Sequence, residues 1–162
     1  MYAIGTLQGE IEGQPDLNGQ MEQMLIQFVL PELKSEQPFM RLRACQTYGV
    51  YGDLKFKDQS HIQMICEGIF NNISESQPLP VRFYATCALE KILGIKEAVQ
   101  YIRPGIDSML KCYIQLMNEF DNEELVNAFE NIMSIFQEEI RPFAMDICNH
   151  LVGMYKRCIK ND

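Results

Sequence analysis

The chain lacks the features that mark a membrane-spanning, an exported or a phosphate-binding protein. Its longest nearly apolar run, from Met24 to Leu30, is far shorter than the roughly twenty residues that a membrane-spanning helix needs. No basic N-terminal segment is followed by an apolar stretch and small cleavage residues, so secretion is not expected. The ten glycines are dispersed, which leaves no glycine-rich loop to hold a phosphate. We therefore expect no membrane insertion.

Grouped metal ligands and catalytic side chains are also absent. The two histidines, His61 and His150, have no second imidazole or cysteine at ligand spacing, and no glycine-rich elbow or oxyanion donor segment accompanies them. No Cys-x-x-Cys pair occurs among the six cysteines, which are Cys45, Cys66, Cys87, Cys112, Cys148 and Cys158. We expect reduced, buried cysteines that act as small apolar side chains, no metal, no cofactor and no enzyme activity.

Basic residues are in the minority. The chain has 14 Lys and Arg against 22 Asp and Glu, which gives a formal net charge of −8. Because binding to phosphates needs a basic patch, direct nucleic-acid binding is not expected, whereas partners that carry positive charge suit this balance. The 47% hydrophobic and 22% charged content is that of an ordinary globular protein, and 162 residues can bury a sizeable core.

What the chain does contain is helical periodicity with a long repeat. In the stretch from Leu79 to Leu93, Pro80 suits the first turn of a helix, and the apolar residues behind it recur at steps of three and four. The same construction occurs 41 residues earlier, where Arg41 corresponds to Arg82. A period near forty between helix starts indicates a solenoid of paired helices, of the HEAT or armadillo class.

The rest of the chain continues this pattern, and no strand-like alternation survives a window of five residues. Asn18, and either Asp121 or Asn122, are predicted N-caps, because their side chains can accept from unpaired N–H groups. Pro31 and Pro104 are expected to end or kink their helices. The predicted helices cover approximately residues 2–12, 18–33, 38–54, 58–73, 79–93, 96–120, 121–137 and 138–159.

These helices predict an all-α fold, a HEAT-repeat α-solenoid in which antiparallel helix pairs form a right-handed superhelix. Residues 1–162 would form one repeat domain of about three helix pairs with a half-pair at each end. A solenoid repeat buries its apolar face only against its neighbours, so natural ends carry polar caps. Neither end has one. The chain is therefore expected to be a piece excised from a longer array.

Several short runs occur in the order and spacing of one known family. The chain resembles the central HEAT repeats of importin-β superfamily nuclear transport receptors, in the branch of importin seven and importin eight, from about residue 21 to residue 151. The runs that carry the resemblance are Met40 to Cys45, Lys55 to Lys57, Leu79 to Arg82, Tyr101 to Pro104 and Asn122 to Leu125.

The resemblance implies a receptor that binds protein cargo in the cytoplasm, passes the nuclear pore through phenylalanine-glycine nucleoporins, and releases cargo to GTP-bound Ran. Family cargoes are basic proteins such as ribosomal proteins and histones, and the location would be nucleus, cytoplasm and nuclear envelope. Because the chain lacks the family's N-terminal repeats, Ran and nucleoporin binding are expected of the full-length parent. The alternative is a HEAT-repeat scaffold or adaptor outside nuclear transport, since fold does not fix function.

One acidic helix is a candidate binding surface. Between Lys111 and Arg141 there is no Lys or Arg, but there are seven Asp and Glu residues. At 100° per residue a narrow stripe falls opposite the apolar side of the predicted helix 121–137. We expect this stripe to face the inside of the superhelix and to bind basic cargo; a solvated surface is the alternative. The stripe consists of Glu123, Asn127, Glu130 and Ser134.

The two arginines at the repeated helix starts also invite an interpretation. Each could bind a ligand, but in this repeat class such an arginine is expected to pair with a polar loop residue of its own or a neighbouring repeat. Glu36 and Glu75 are available for Arg41 and Arg82, respectively.

Overall fold

The described part of the chain folds into a stack of helices. The computed structural model describes residues 15–52, 54–119, 122–145, 147–149 and 152–153, with side chains from residue 19 onward. No strand occurs within these ranges. The predicted helix over residues 2–12, His150 and Cys158 lie outside them. The helices are α1 (Pro15–Met24), α2 (Pro38–Val50), α3 (Gln59–Phe70), α4 (Leu79–Ile92), α5 (Val99–Ile102), α6 (Ile106–Glu119), α7 (Glu123–Ile135) and α8 (Gln137–Ile140).

Pro31 interrupts the regular α-helical geometry of the chain that follows α1. Ahead of Pro31 the helix widens into a π-helical turn, Leu25–Val29, and it continues as a 3-10 helix, Leu30–Lys34. The reason is that proline has no N–H and its ring collides with the carbonyl four residues earlier. The predicted disturbance at Pro31 is confirmed. The predicted N-cap at Asn18 is wrong, because α1 already begins at Pro15.

The tripeptide Ile-Arg-Pro occurs twice, at residues 102–104 and 140–142, and both copies lead into a short 3-10 segment. Pro104 lies in a short 3-10 segment, Arg103–Gly105, between α5 and α6, so the predicted kink is confirmed. Pro142 lies in the corresponding segment after α8, Arg141–Phe143. A β-carbon on Gly105 would come within 2.6 Å of the Phe70 ring, so the glycine lets α3 pack against this kink.

Helix starts follow the expected chemistry. The carboxylate of Asp58 accepts from the backbone N–H of Ser60 (2.8 Å) at the start of α3. Asn122 Oδ1 accepts from the N–H groups of Glu124 (2.8 Å) and Leu125 (3.3 Å), which confirms Asn122 as the cap of α7. Both proline-initiated helices, α2 and α4, start where predicted, although α2 and α3 end three to four residues earlier than predicted.

The helices form two packed layers. In one layer α4 lies between α2 and α7; in the other, α3 contacts the 3-10 segment after α1 on one side and α5 on the other. The helices α2 and α4 pack closely, since a β-carbon on Gly49 would be in ordinary van der Waals contact with Ala88 Cα, at 3.6 Å. This arrangement confirms the predicted all-α HEAT-repeat solenoid. No described helix is both long and apolar enough to cross a membrane.

Two fully buried tyrosines connect the layers. Tyr48 of α2 donates to the Leu25 carbonyl at the π-helical turn (3.0 Å), and Tyr113 of α6 donates to the Thr86 carbonyl of α4 (2.7 Å). Burial raises the pKa of both phenols well above the ordinary value. Each hydroxyl therefore stays protonated and can donate, which satisfies its polar atom inside an apolar core.

Arg41 joins one inter-helix loop to the next. Its Nη1 donates to the backbone carbonyls of Ser35 (2.6 Å) and Glu36 (3.2 Å), and its Nη2 donates to Gln77 Oε1 (2.7 Å). The expected pairing with loop residues of its own and a neighbouring repeat is confirmed. Glu36 contributes its carbonyl oxygen rather than its carboxylate.

Arg82 makes its ion pair further along the chain. Its guanidinium is buried, with 5% of the side chain exposed, and Nη1 donates to Glu119 Oε2 at 2.9 Å. Glu75, the partner that the sequence suggested, makes no ion pair with it in the described structure. The sequence could not identify Glu119, because the pairing depends on how α6 stacks against α4. Nε and Nη2 of Arg82 have no hydrogen-bond partner in the structure described.

We predict that Arg82→Ala lowers the free energy of unfolding by about 1–3 kcal/mol, because it removes a partly buried ionic hydrogen bond and the packing of the buried arginine stem. Chemical denaturation of the purified chain measures this change. Arg141→Ala is the matched control, since the Arg141 side chain is 81% exposed, and it should shift stability by less than about 0.5 kcal/mol. Equal shifts in the two variants would contradict the structural role of Arg82.

We predict that Gly52→Ala destabilises the chain by about 1–3 kcal/mol. A β-carbon there would lie 2.6 Å from Lys91 Cβ and 3.0 Å from the Lys91 carbonyl carbon, which belongs to the backbone of α4 and cannot turn aside. Thermal unfolding measures the effect. Gly153→Ala, where a β-carbon would meet nothing within 4 Å, should be neutral or slightly stabilising. A neutral Gly52→Ala would show that this junction can open at little cost.

Candidate protein-binding groove

A groove of about 630 Å³ runs between the three neighbouring helices α2, α4 and α7. Because these helices lie side by side in one layer, side chains from three separate stretches of sequence meet along it. Its polar lining includes Arg43, Gln46, Glu90, Lys91, Glu124, Asn127 and Asn131. The less polar part includes Cys45, Val50, Tyr84, Cys87 and Ala88.

Glu90 organises the polar side of the groove. Its Oε1 accepts from Asn131 Nδ2 at 2.7 Å, which connects α4 to α7. Its Oε2 lies 3.1 Å from Lys91 Nζ, and the Glu90 side chain is only 15% exposed. The bound amide and the ammonium fix this carboxylate at the groove wall and partly neutralise it. Glu124 of α7 is an exposed second carboxylate of the same lining.

Cys87 lies close enough to Glu90 and Glu124 for both carboxylates to act on its thiol. Burial, together with the negative charges of Glu124 and Glu90, raises the pKa of the Cys87 thiol to about 11. Burial likewise raises the pKa of Cys45, on the same lining, to about 12. Both thiols are therefore neutral near pH 7 and offer no thiolate for nucleophilic attack or metal binding.

The predicted acidic stripe is only partly directed to this groove. Glu123, Asn127, Glu130 and Ser134 are all exposed on α7, but Asn127 is the member that lines the groove. The Ser134 hydroxyl donates to the Asn131 carbonyl of its own helix at 2.7 Å. The prediction that this stripe binds a basic partner stays a prediction.

The groove uses the flank of α7 that faces α4, namely Glu124, Asn127 and Asn131. Their spacing of three and four residues is a signal of one helical face that could have identified them. The sequence analysis instead took the stripe opposite the apolar side. No local signal pointed to Glu90, because its place in the groove depends on α4 lying beside α7.

A second polar cluster has a structural role. Glu22, which is 4% exposed, accepts from the backbone N–H groups of Lys57 (3.0 Å) and Asp58 (3.2 Å). His61 Nδ1 lies 2.8 Å from Glu22 Oε1. The cluster attaches α1 to the start of α3. Burial raises the pKa of Glu22, but the hydrogen bonds from Lys57, His61 and Asp58 outweigh it, so the pKa lies below the ordinary value.

No metal-binding cluster occurs in the described structure. Within its ranges no three His, Cys, Asp or Glu side chains lie close enough together to hold a metal ion. The described cysteines are unpaired: Cys45 and Cys66 are buried, Cys87 and Cys112 are half-buried, and Cys148 is exposed. The prediction of buried cysteines is therefore confirmed for Cys45 and Cys66 and wrong for Cys148. The absence of a metal and of a disulfide in the whole chain stays a prediction.

The fold defines the class of protein: a HEAT-repeat segment of an α-solenoid with a polar groove along one layer. Comparison with curated proteins then identifies its relatives, which are importin-β-like proteins. The chain is 31% identical over 162 residues to the importin beta-like SAD2 homolog of Arabidopsis thaliana, and 28% identical over 160 residues to the probable importin-7 homolog of Dictyostelium discoideum. It is 22% identical over 163 residues to importin-8 of Homo sapiens.

These matches confirm the family resemblance, because they cover 99–100% of the chain. The chain spans only 15–16% of the length of these relatives. No family model and no solved structure matches the chain.

We predict that Glu22→Gln destabilises the chain at pH 7 by about 1–3 kcal/mol, because a charged acceptor for three donors is lost. The lowered pKa means that the Glu22 contribution is fully present above the ordinary value of 4.5 and is lost as the pH falls through the folded-state pKa. The difference between the two proteins should therefore shrink in acid. Denaturant titrations at pH 7 and at pH 3 measure it.

The control for this experiment is Glu36→Gln, which removes an exposed loop carboxylate. It should leave stability within about 0.5 kcal/mol of the unaltered chain at both pH values. A Glu22→Gln effect that is no larger, or that does not depend on pH, would refute the assigned role of Glu22.

Proposed function

We propose that the chain is a section of a nuclear import receptor of the karyopherin-β type, and that its groove between α2, α4 and α7 binds a basic segment of protein cargo. The observation that carries the proposal is the presence of two carboxylates from neighbouring helices, Glu90 and Glu124, on one groove. Whole-chain similarity to proteins named as importins supports the receptor class.

The groove offers each part of an extended basic peptide a matching group. A lysine or arginine head would lie between Glu90 and Glu124, where the charges of both carboxylates reach the same half-buried thiol, Cys87. The apolar stem of that side chain would pack on Tyr84. The amide of Asn127 would pair with the peptide backbone. Binding would thus combine charge, apolar contact and hydrogen bonds.

Charge beyond the groove would assist the encounter. The formal net charge of −8 attracts a basic segment over a Debye length of about 8 Å at physiological salt. In this proposal the exposed stripe residues Glu123 and Glu130 act as an outer rim that raises the association rate, while Glu90 and Glu124 hold the bound segment. Affinity should therefore fall as salt rises.

The remaining steps of transport are proposed for a longer receptor of which this chain is the central part. That receptor would carry basic cargo such as ribosomal proteins or histones through the nuclear pore, by contact with phenylalanine-glycine nucleoporins. GTP-bound Ran would release the cargo, and the receptor would move between cytoplasm and nucleus. The chain spans about one sixth of the length of these relatives, so these steps are proposed for the longer receptor.

The test uses a fluorescent lysine-rich peptide and the 162-residue chain, with affinity measured by fluorescence anisotropy at two salt concentrations. Glu90→Gln together with Glu124→Gln should weaken binding about tenfold and reduce the salt dependence, since two direct ion pairs are lost. The matched control is Glu123→Gln together with Glu130→Gln, which removes the same charge from α7 outside the groove. It should weaken binding only about twofold.

Equal losses in the two double variants would mean that net charge, rather than the groove, attracts the peptide. No loss in either would reject cargo binding at this face and favour a scaffold role for the segment. Circular dichroism of each variant checks that the fold is kept.

A further inference from the structure

A second groove lies between two loops, and its charged side chains are mostly basic, whereas the groove between α2, α4 and α7 (the cargo groove) is lined by two carboxylates and two cations. The loop between α2 and α3 and the loop between α4 and α5 enclose a volume of about 520 Å³. Three lysines line it, Lys55, Lys57 and Lys96, against one carboxylate, Glu97. This concentration of positive charge runs against the composition of a chain whose formal net charge is −8.

The lysines are available for a partner. All three are exposed, and none of them forms an ion pair within the described part of the chain. The Lys57 ammonium lies 3.3 Å from the position that a β-carbon on Gly19 would occupy, so it lies towards α1. Lys55 and Lys96, one on each loop, are therefore the two cations that flank the groove.

Apolar side chains form the floor between these lysines. Leu54, Phe56 and Ile95 are half-buried, and Ile62 beneath them is buried. Gly52 keeps one wall free of a side chain, because it packs against the Lys91 backbone with no room for a β-carbon. A cationic rim around an apolar floor fits a chain that carries both carboxylates and an apolar side chain.

We propose that this groove, the lysine groove, binds an acidic segment of a partner protein. An aliphatic or aromatic side chain of the segment lies on the floor of Leu54 and Phe56, and flanking carboxylates pair with Lys55 and Lys96. The segment is protein rather than nucleic acid, because three lysines are too few to follow a phosphate backbone. The site is separate from the cargo groove, and its partner has the opposite charge.

The probe is a fluorescent 12-residue peptide that alternates glutamate with leucine, studied by anisotropy with the 162-residue chain. A second peptide has glutamine at every glutamate position, and a third has serine at every leucine position. The unaltered chain should bind the first peptide at least tenfold more tightly than either of the others, and raising the salt concentration should weaken that binding.

Two variants locate the site. Lys55→Glu together with Lys96→Glu should weaken binding of the acidic peptide at least tenfold, because attraction becomes repulsion at both ends of the groove. Lys34→Glu together with Lys111→Glu makes the same change of net charge at exposed lysines outside the groove, and it should weaken binding about twofold at most. Milder Lys→Gln changes at Lys55 and Lys96 should give an intermediate loss.

Several results would overturn the proposal. Equal losses in the two charge-reversed variants would show that only net charge matters. Tighter binding of a single-stranded oligonucleotide than of the peptide would make the groove a nucleic-acid site. Dimerisation of the unaltered chain that Lys55→Glu abolishes, detected by analytical ultracentrifugation, would make a second copy the occupant. None of these results bears on the cargo groove, which the lysine-rich peptide tests independently.

Discussion

The structure depends on the burial of α4 on every side but one. A solenoid repeat has no closed core of its own, so each helix must bury its apolar face against neighbours. In α4 the alanines and aliphatic residues that face α2, α3, α6 and α7 are buried, and α2 packs closely against α4 near Gly49 and Ala88. Tyr84, Cys87 and Lys91 remain accessible to solvent, and they line the groove.

The same stacking explains why the polar interactions lie where they do. Arg41, Arg82 and Asn131 each bond to a partner 36 to 41 residues away, which is about one repeat. These bonds, with the two tyrosine hydroxyls, satisfy polar atoms at the junctions between repeats. A repeat junction is therefore specified by a few directional bonds as well as by apolar contact, and burial makes those bonds costly to break.

The two grooves show how one scaffold can present different sets of charged groups on different surfaces. One lies along the faces of α2, α4 and α7 and carries Glu90 and Glu124; the other lies between loops and carries Lys55 and Lys96. Helix faces and loops are set by different positions of the repeat, so their charges can vary independently. In the proposed functions, a basic cargo segment and an acidic partner segment would not compete for the same surface.

The sequence by itself determined the helical class, the repeat period and the proline kinks at Pro31 and Pro104. These features follow from local chemistry, since the period of apolar residues and the missing N–H of proline act within one or two helical turns. Only the tertiary structure decided that Glu119 pairs with Arg82, that Glu90 and Glu124 share one groove, and that Lys55 and Lys96 flank another. The members of each pair are 34 to 41 residues apart, and the stacking of repeats is what brings them together.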